Sequence, residues 1–213
     1  MQEEGVIKFD LRYTASKLDA QTLPDDLCRW RDRLWQEGLI GQQAERYDGY
    51  AYGNVSCRLP PFDAPPGKRV FLISGSQTGT LPQLDERHYA VVSGCDIRRN
   101  RVTAHGPIEP SSEALTHAML YDQDDGVRVV FHVHSLTIWQ AADSMELPVT
   151  AADIAYGTPD MAQEVARLFR ETDVSQQKLF AMGGHEDGVI AFGSTAQQVG
   201  DRLLDCLAHC RKP

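Results

Sequence analysis

Nothing in the 213-residue chain approaches the roughly 18–20 consecutive apolar residues that a membrane-spanning helix needs, and no basic-then-apolar leader opens it. These absences predict a soluble, cytoplasmic protein with no membrane partner. Clusters of Lys and Arg are missing beyond short pairs such as Arg98-Arg99, and 21 basic against 30 acidic residues give a formal charge of −9. The electrostatic footprint of a nucleic-acid binder is therefore absent. An anionic small substrate would need local help from a metal ion, backbone N–H groups or a helix N-terminus. The five cysteines (Cys28, Cys57, Cys95, Cys206 and Cys210) are odd in number and contain no CxxC pair, so they fit neither a disulfide framework nor a zinc ribbon. Cys206 and Cys210, four apart on an expected helix, suit a packed face better than a metal. No internal repeat or low-complexity tract is visible.

What is present is an ordinary globular mixture, 42% hydrophobic and 24% charged, with length for one substantial core. The expected organisation is a single domain over 1–213, its first 22 residues an N-terminal extension. LPDDLCRWRDRLWQEGLIG (23–41) reads as a helix: Leu27, Trp30, Leu34 and Trp35 share a face, Asp25 or Asp26 can cap it, and Gly41 can end it. RVFLIS (69–74), HYAVVSGCDI, RVTAHG and VRVVFHVHS read as strands, as do KLFAMGG and GVIAFG around the turn GHED. Helices are expected from Ser111 or Ser112 to Tyr121, over LTIWQAADSM, over 158–171 and over 194–210, the last with Ser194 as its cap. Helices and strands interleave throughout, which predicts an α/β or α+β fold around one sheet.

One of these strands is unusual. VFHVHS carries two imidazoles in an otherwise apolar, β-branched run. Successive strand side chains point to opposite faces, so His132 and His134 share one, with Cα atoms about 6.5–7 Å apart. That spacing lets two ring nitrogens converge on one ion at about 2.0–2.1 Å from each, while Phe131 and Val133 face into packing. A solvated pair on a half-exposed strand is the plainer alternative. A third ligand is offered by His185 in Gly184-His185-Glu186-Asp187-Gly188, a tight turn between apolar strands. Three histidines with an open position are the arrangement of a catalytic rather than a structural metal. His88, His105 and His209 read as loop or helix-surface residues. His117, one turn after Glu113, can face the site or pack, and packing is favoured.

Pro110-Ser111-Ser112-Glu113 combines a helix N-terminus with two hydroxyls, which suits an anion as well as it suits simple capping. Gly53-Asn54-Val55-Ser56 and Ile73-Ser74-Gly75-Ser76 could close around the same anion, although such turns are common.

Taken in order, GNVS, ISG, PSSE with THAMLY, HVHS, and GHEDG with VIAFG resemble the class II aldolase/adducin family over roughly residues 25–205. The resemblance implies a three-layer α/β/α domain with a central, mainly antiparallel sheet, usually assembled as a homotetramer with sites between subunits. It implies a divalent metal, most often Zn2+, on His132, His134 and His185, and a phosphate site at Asn54, Ser74, Gly75, Ser111 and Ser112. Glu113 matches the acid/base carboxylate of the aldolases. The implied reaction is reversible cleavage of a small, phosphorylated ketose through a metal-stabilised enediolate. A second local likeness, Leu147-Pro148 before Asp153-Ile154-Ala155-Tyr156-Gly157, is similar to the family's 4-epimerases, where an Asp at the place of Asp153 handles protons. Adducin heads, which are interaction modules without catalysis, share the same fold. The chain departs from the pattern in two places. No tyrosine follows Tyr156, where the better-known enzymes carry a catalytic one, and HEDG replaces the more usual His-Gly turn.

Overall fold

The computed structural model describes residues 5–211. Its strands are β1 (Asp10–Ala15), β2 (Gly41–Gln42), β3 (Ala51–Tyr52), β4 (Asn54–Arg58), β5 (Phe71–Ser74), β6 (Tyr89–Asp96), β7 (Arg101–Gly106), β8 (Val129–His134), β9 (Leu179–Ala181) and β10 (Gly188–Gly193). Its α-helices are α1 (Asp25–Gln36), α2 (Ala114–Gln123), α3 (Leu136–Ala141), α4 (Pro159–Glu171), α5 (Val174–Gln177) and α6 (Ala196–Cys210).

Eight of the strands form one sheet in the order β1-β7-β6-β5-β4-β8-β10-β9. Every pair is antiparallel except β1 with β7. β-Branched and aromatic residues alternate faces along these strands, so each strand feeds two cores at once. Val129, Phe131 and Val133 of β8 join Leu72, Val55 and Val189 on one face, beneath Leu27, Trp30 and Leu34 of α1, Ile138 of α3, and Val199, Leu203 and Leu207 of α6. Val130 of β8 joins Phe71, Ile73, Ile190 and Phe192 on the other, beneath Leu115 and Tyr121 of α2 and Met161, Val165 and Leu168 of α4. The result is the three-layer α/β/α architecture that the motif order implies, with β8 an interior strand buried at all six positions.

Local chemistry shifts several expected boundaries. α1 ends at Gln36 because Gly38 takes the left-handed conformation (φ +71°) that closes a helix, so Gly41 is free to begin β2. Its N-cap is Pro24 and no side chain caps it; Asp26 accepts a bond only from the adjacent Leu27 N–H. The 111–121 helix starts later, at Ala114, because Ser111 and Ser112 are spent on a turn that leaves Glu113 at the N-cap. α6 is capped by Thr195, whose hydroxyl accepts from Gln198 N–H, and not by Ser194. His105 lies within β7, neither in a loop nor on a helix. The stretch 1–22 contains a strand, β1, that extends the sheet edge.

Candidate metal centre

His132 and His134 lie at the C-terminal end of β8, opposite Asn54 of β4 and Ile190 and Gly188 of β10. Phe131 and Val133 face the other core, so strand alternation places both imidazoles on the α2 side. His185 comes in from the β9–β10 connection. That turn closes on itself, with His185 N–H donating to the Met182 carbonyl and Gly188 N–H to the His185 carbonyl. Gly183 and Gly184 are required there: a Cβ on Gly184 would stand 2.0 Å from the Ile154 carbonyl oxygen, and one on Gly183 2.2 Å from that of Thr150.

The three rings converge. Their ligand atoms all lie within 4.8 Å of one another, and each residue is at most 4% exposed. His132 Nε2 and His134 Nε2 are 3.2 Å apart; two nitrogens sharing one tetrahedral ion at about 2.0–2.1 Å would stand about 3.3 Å apart. Burial, reinforced by the neighbouring imidazoles, holds His132 and His134 well below the usual histidine pKa. Both are therefore neutral near pH 7, the form that ligates a cation. The donor set fits a divalent metal.

Glu113 lies beside the three histidines. It is 1% exposed at the start of α2, and its Oε1 is 3.9 Å from His185 Nδ1. With Asn54, Gly75, Ser111 and Ser112 it also lines a small cradle beside the histidine cluster. Ser74 is not among that lining; its buried hydroxyl accepts the Val55 N–H at 3.1 Å and ties β5 to β4. Asp153 sits exposed in a turn. Its neighbours are closer in, since Tyr156 stacks on His185 with ring centroids 4.5 Å apart. His117 packs: fully buried, it shares a 2.7 Å bond with Ser56 Oγ, which also meets Tyr121 OH at 2.6 Å, and burial lowers its pKa to about 3.

Sequence reasoning missed the wall on the far side of the three histidines. Asp187 Oδ2 accepts from Tyr47 OH at 2.8 Å and from Arg46 Nη2 at 3.1 Å, and the Tyr47 ring meets His134 edge-on at 4.8 Å. Burial, then the Asp187 carboxylate, push the Tyr47 phenol well above its ordinary pKa, so it stays protonated. Together with Trp139, Tyr156 and His185, these residues line a cleft of about 620 Å³. The one available signal was Asp187 itself, the unusual acid in HEDG.

Residues 42–211 match the family described as Class II Aldolase and Adducin N-terminal domain. The chain belongs to that family. No curated protein matches the sequence. Among solved structures, an L-fuculose 1-phosphate aldolase superposes with a TM-score of 0.61 at 19% identity, over 91% of this chain and 85% of that one. A sugar-phosphate aldolase from Thermotoga maritima gives 0.60 at 17% identity, over 88% and 96%. The N-terminal class II aldolase domain of a conserved protein from Thermoplasma acidophilum gives 0.57 at 16%, over 99% and 97%. At these identities the likeness shows the fold. Class II aldolases are generally dependent on a divalent metal, and this chain has a cluster of three histidines that could hold one.

Proposed function

We propose that the protein is a divalent-metal-dependent aldolase-type lyase that reversibly cleaves a small ketose. The observation that carries this reading is the meeting of three buried imidazoles from two separate chain segments beside a buried carboxylate. Zn2+ is the preferred ion for such a donor set. A divalent ion held by His132, His134 and His185 keeps its full charge and supplies Lewis-acid stabilisation of the negative charge that develops on a ketose oxygen as the adjacent C–C bond breaks. In cleavage the hydroxyl on the carbon beyond that bond loses its proton as it becomes the aldehyde carbonyl, and Glu113 would carry that proton to the carbon left behind, with the transfer reversed in synthesis. Asn54, Gly75, Ser111 and Ser112, with Ser74 behind them, hold the non-reacting end of the sugar. The 620 Å³ cleft receives the aldehyde fragment, against Tyr47 and Tyr156.

A 4-epimerase reading uses the same bond cleavage with the aldehyde retained and re-added. It draws support from the 153–157 segment, which packs directly on the metal loop. Asp153 would then shuttle the proton. Incubating the zinc-loaded protein with ketoses separates the two readings, because free aldehyde marks a lyase and an inverted ketose without release marks an epimerase. A protein that binds no metal and releases nothing would revert to the adducin-like reading, an interaction module on the same fold. The five cysteines are all free, as a reducing cytoplasm would keep them, and a homotetramer remains the assembly the family suggests. Among the described residues no helix is long and apolar enough to cross a membrane.

A further inference from the structure

Asp187, the acid of HEDG, has only 10% of its side chain exposed. One of its oxygens is bonded and the other is not. Oδ2 accepts from the Tyr47 hydroxyl and the Arg46 guanidinium, whereas Oδ1 is buried with no hydrogen-bond partner. A buried acceptor left bare is destabilising, and a charged one more so. The backbone on both sides of this contact is unusual as well. Asp187 (φ +64°), Tyr47 (φ +52°) and Asp48 (φ +54°) are all left-handed, a conformation that a tyrosine rarely adopts. Ser135 N–H donates to the Asp187 carbonyl at 2.8 Å and fixes the acid beside the end of β8. Strain of this kind persists only where the surrounding structure enforces it, and it gathers at functional sites.

The surroundings of Oδ1 narrow what can satisfy it. Asp187 lines the 620 Å³ cleft with Tyr47, Trp139, Tyr156 and His185. A carboxylate oxygen only accepts, so its partner must bring a proton. An ionised carboxylate or a phosphate dianion on the ligand brings none, and it meets Glu45, Asp48 and Glu186 along the same cleft. Arg46 is the one Lys or Arg in the described lining, and its Nη2 is shared between Asp187 at 3.1 Å and Tyr47 at 2.7 Å. That guanidinium is committed to the wall and balances the charge of Asp187, so no ammonium is required of the ligand. A neutral hydroxyl remains, and its bond to a carboxylate is charge-assisted and strong.

We infer that Asp187 is a specificity-determining residue whose free oxygen accepts a hydroxyl carried by the aldehyde fragment. This rests on the proposed lyase reading and adds to it what the cleft selects. The test runs the reverse reaction, addition of dihydroxyacetone or its phosphate to glyceraldehyde and to propanal, which share a carbon skeleton and differ in its hydroxyls. Both are offered to the zinc-loaded full chain and to Asp187→Gly, since glycine takes φ +64° freely and keeps the loop. The parent should favour the hydroxyaldehyde about tenfold or more in kcat/KM, and the variant should lose that preference. Equal losses with both aldehydes would make Asp187 a structural prop and overturn the inference, as would a parent that treats the two alike. Either result leaves the lyase reading intact. Addition to neither counts against the lyase reading, and saturation-transfer NMR on the metal-free protein then decides Asp187 without turnover. The parent should saturate glycerol more strongly than propanol, and Asp187→Gly should not. No excess for glycerol in the parent, or an undiminished excess in the variant, overturns the proposal. Should the glycine variant fail to fold, Asp187→Asn keeps an oxygen for Tyr47, sets an amide NH2 where the free acceptor was, and is judged by the same outcomes.

Discussion

At the scale of single residues, the centre is built from groups whose burial would be costly without a task. Neutral His132 and His134 are legible from the two-residue period of a strand, because alternation alone puts them on one face. His185 and Glu113 are legible as a loop histidine and a helix-start carboxylate, but their meeting is not. It depends on β10 pairing with β8 and on Ser111 and Ser112 forming a turn ahead of α2. Arg46 and Tyr47 were invisible for the same reason, since their partner Asp187 lies 140 or more residues away. Glu113→Ala should bind metal as the parent does and lose turnover by at least about 10²-fold, the lower range for a positioned acid/base. Metal analysis and an aldehyde assay on the same preparation check this, and full activity would remove Glu113 from the mechanism.

His117 supplies a pH prediction. Its folded pKa, about 3, lies below the ordinary 6.5, so the unfolded chain binds the extra proton first. The stability this neutral imidazole carries is complete above about pH 6.5 and is lost as pH falls from there towards 3, at roughly 1 kcal/mol per pH unit. In urea titrations of the metal-free protein at pH 7, 6 and 5 the parent should exceed His117→Leu in slope by this amount, since buried His132 and His134 add the same dependence to both. His117→Leu should take up about one proton fewer on unfolding than the parent. An unchanged slope would contradict the assignment.

At the scale of elements, agreement between pattern and structure follows burial. RVTAHG and GVIAFG are reproduced as β7 and β10 to the residue, since each is a buried or alternating apolar run between turns. β1 was missed although Leu11, Tyr13 and Ala15 alternate with polar residues, a two-residue period that was there to be read in a strand lying mostly exposed at the sheet edge. Helix starts moved by a few residues wherever two hydroxyls competed for the cap, as at Ser194 and Thr195. The glycines of the metal loop carry a sharper consequence. Gly184→Ala must push the loop away from Ile154, which should cost about 1–3 kcal/mol and loosen the metal site. A denaturation midpoint and a zinc affinity measured on that variant should both fall. An unchanged affinity would mean that the loop does not set the position of His185.

At the scale of the whole molecule, the sheet is the device that makes the site. Its interior strands bring two imidazoles up from β8 and a third from the β9–β10 turn, while α2 delivers the carboxylate from above. The layers and the mainly antiparallel sheet were foreseeable from the order of motifs; the Arg46–Tyr47–Asp187 wall was not, because it joins residues 140 or more apart in the chain. A ligand that binds only the folded chain stabilises it, by about 4 kcal/mol at a thousandfold excess over Kd. Zinc should therefore raise Tm by about 10 °C for a chain of this size, reversibly on chelation.

The most direct check of the central claim is elemental analysis of protein loaded with zinc and dialysed, comparing the parent with His185→Ala. The account predicts one tightly held equivalent in the parent and its loss in the variant, with the variant still folded by circular dichroism. Retention of a full equivalent by folded His185→Ala, or none in the parent, would contradict it.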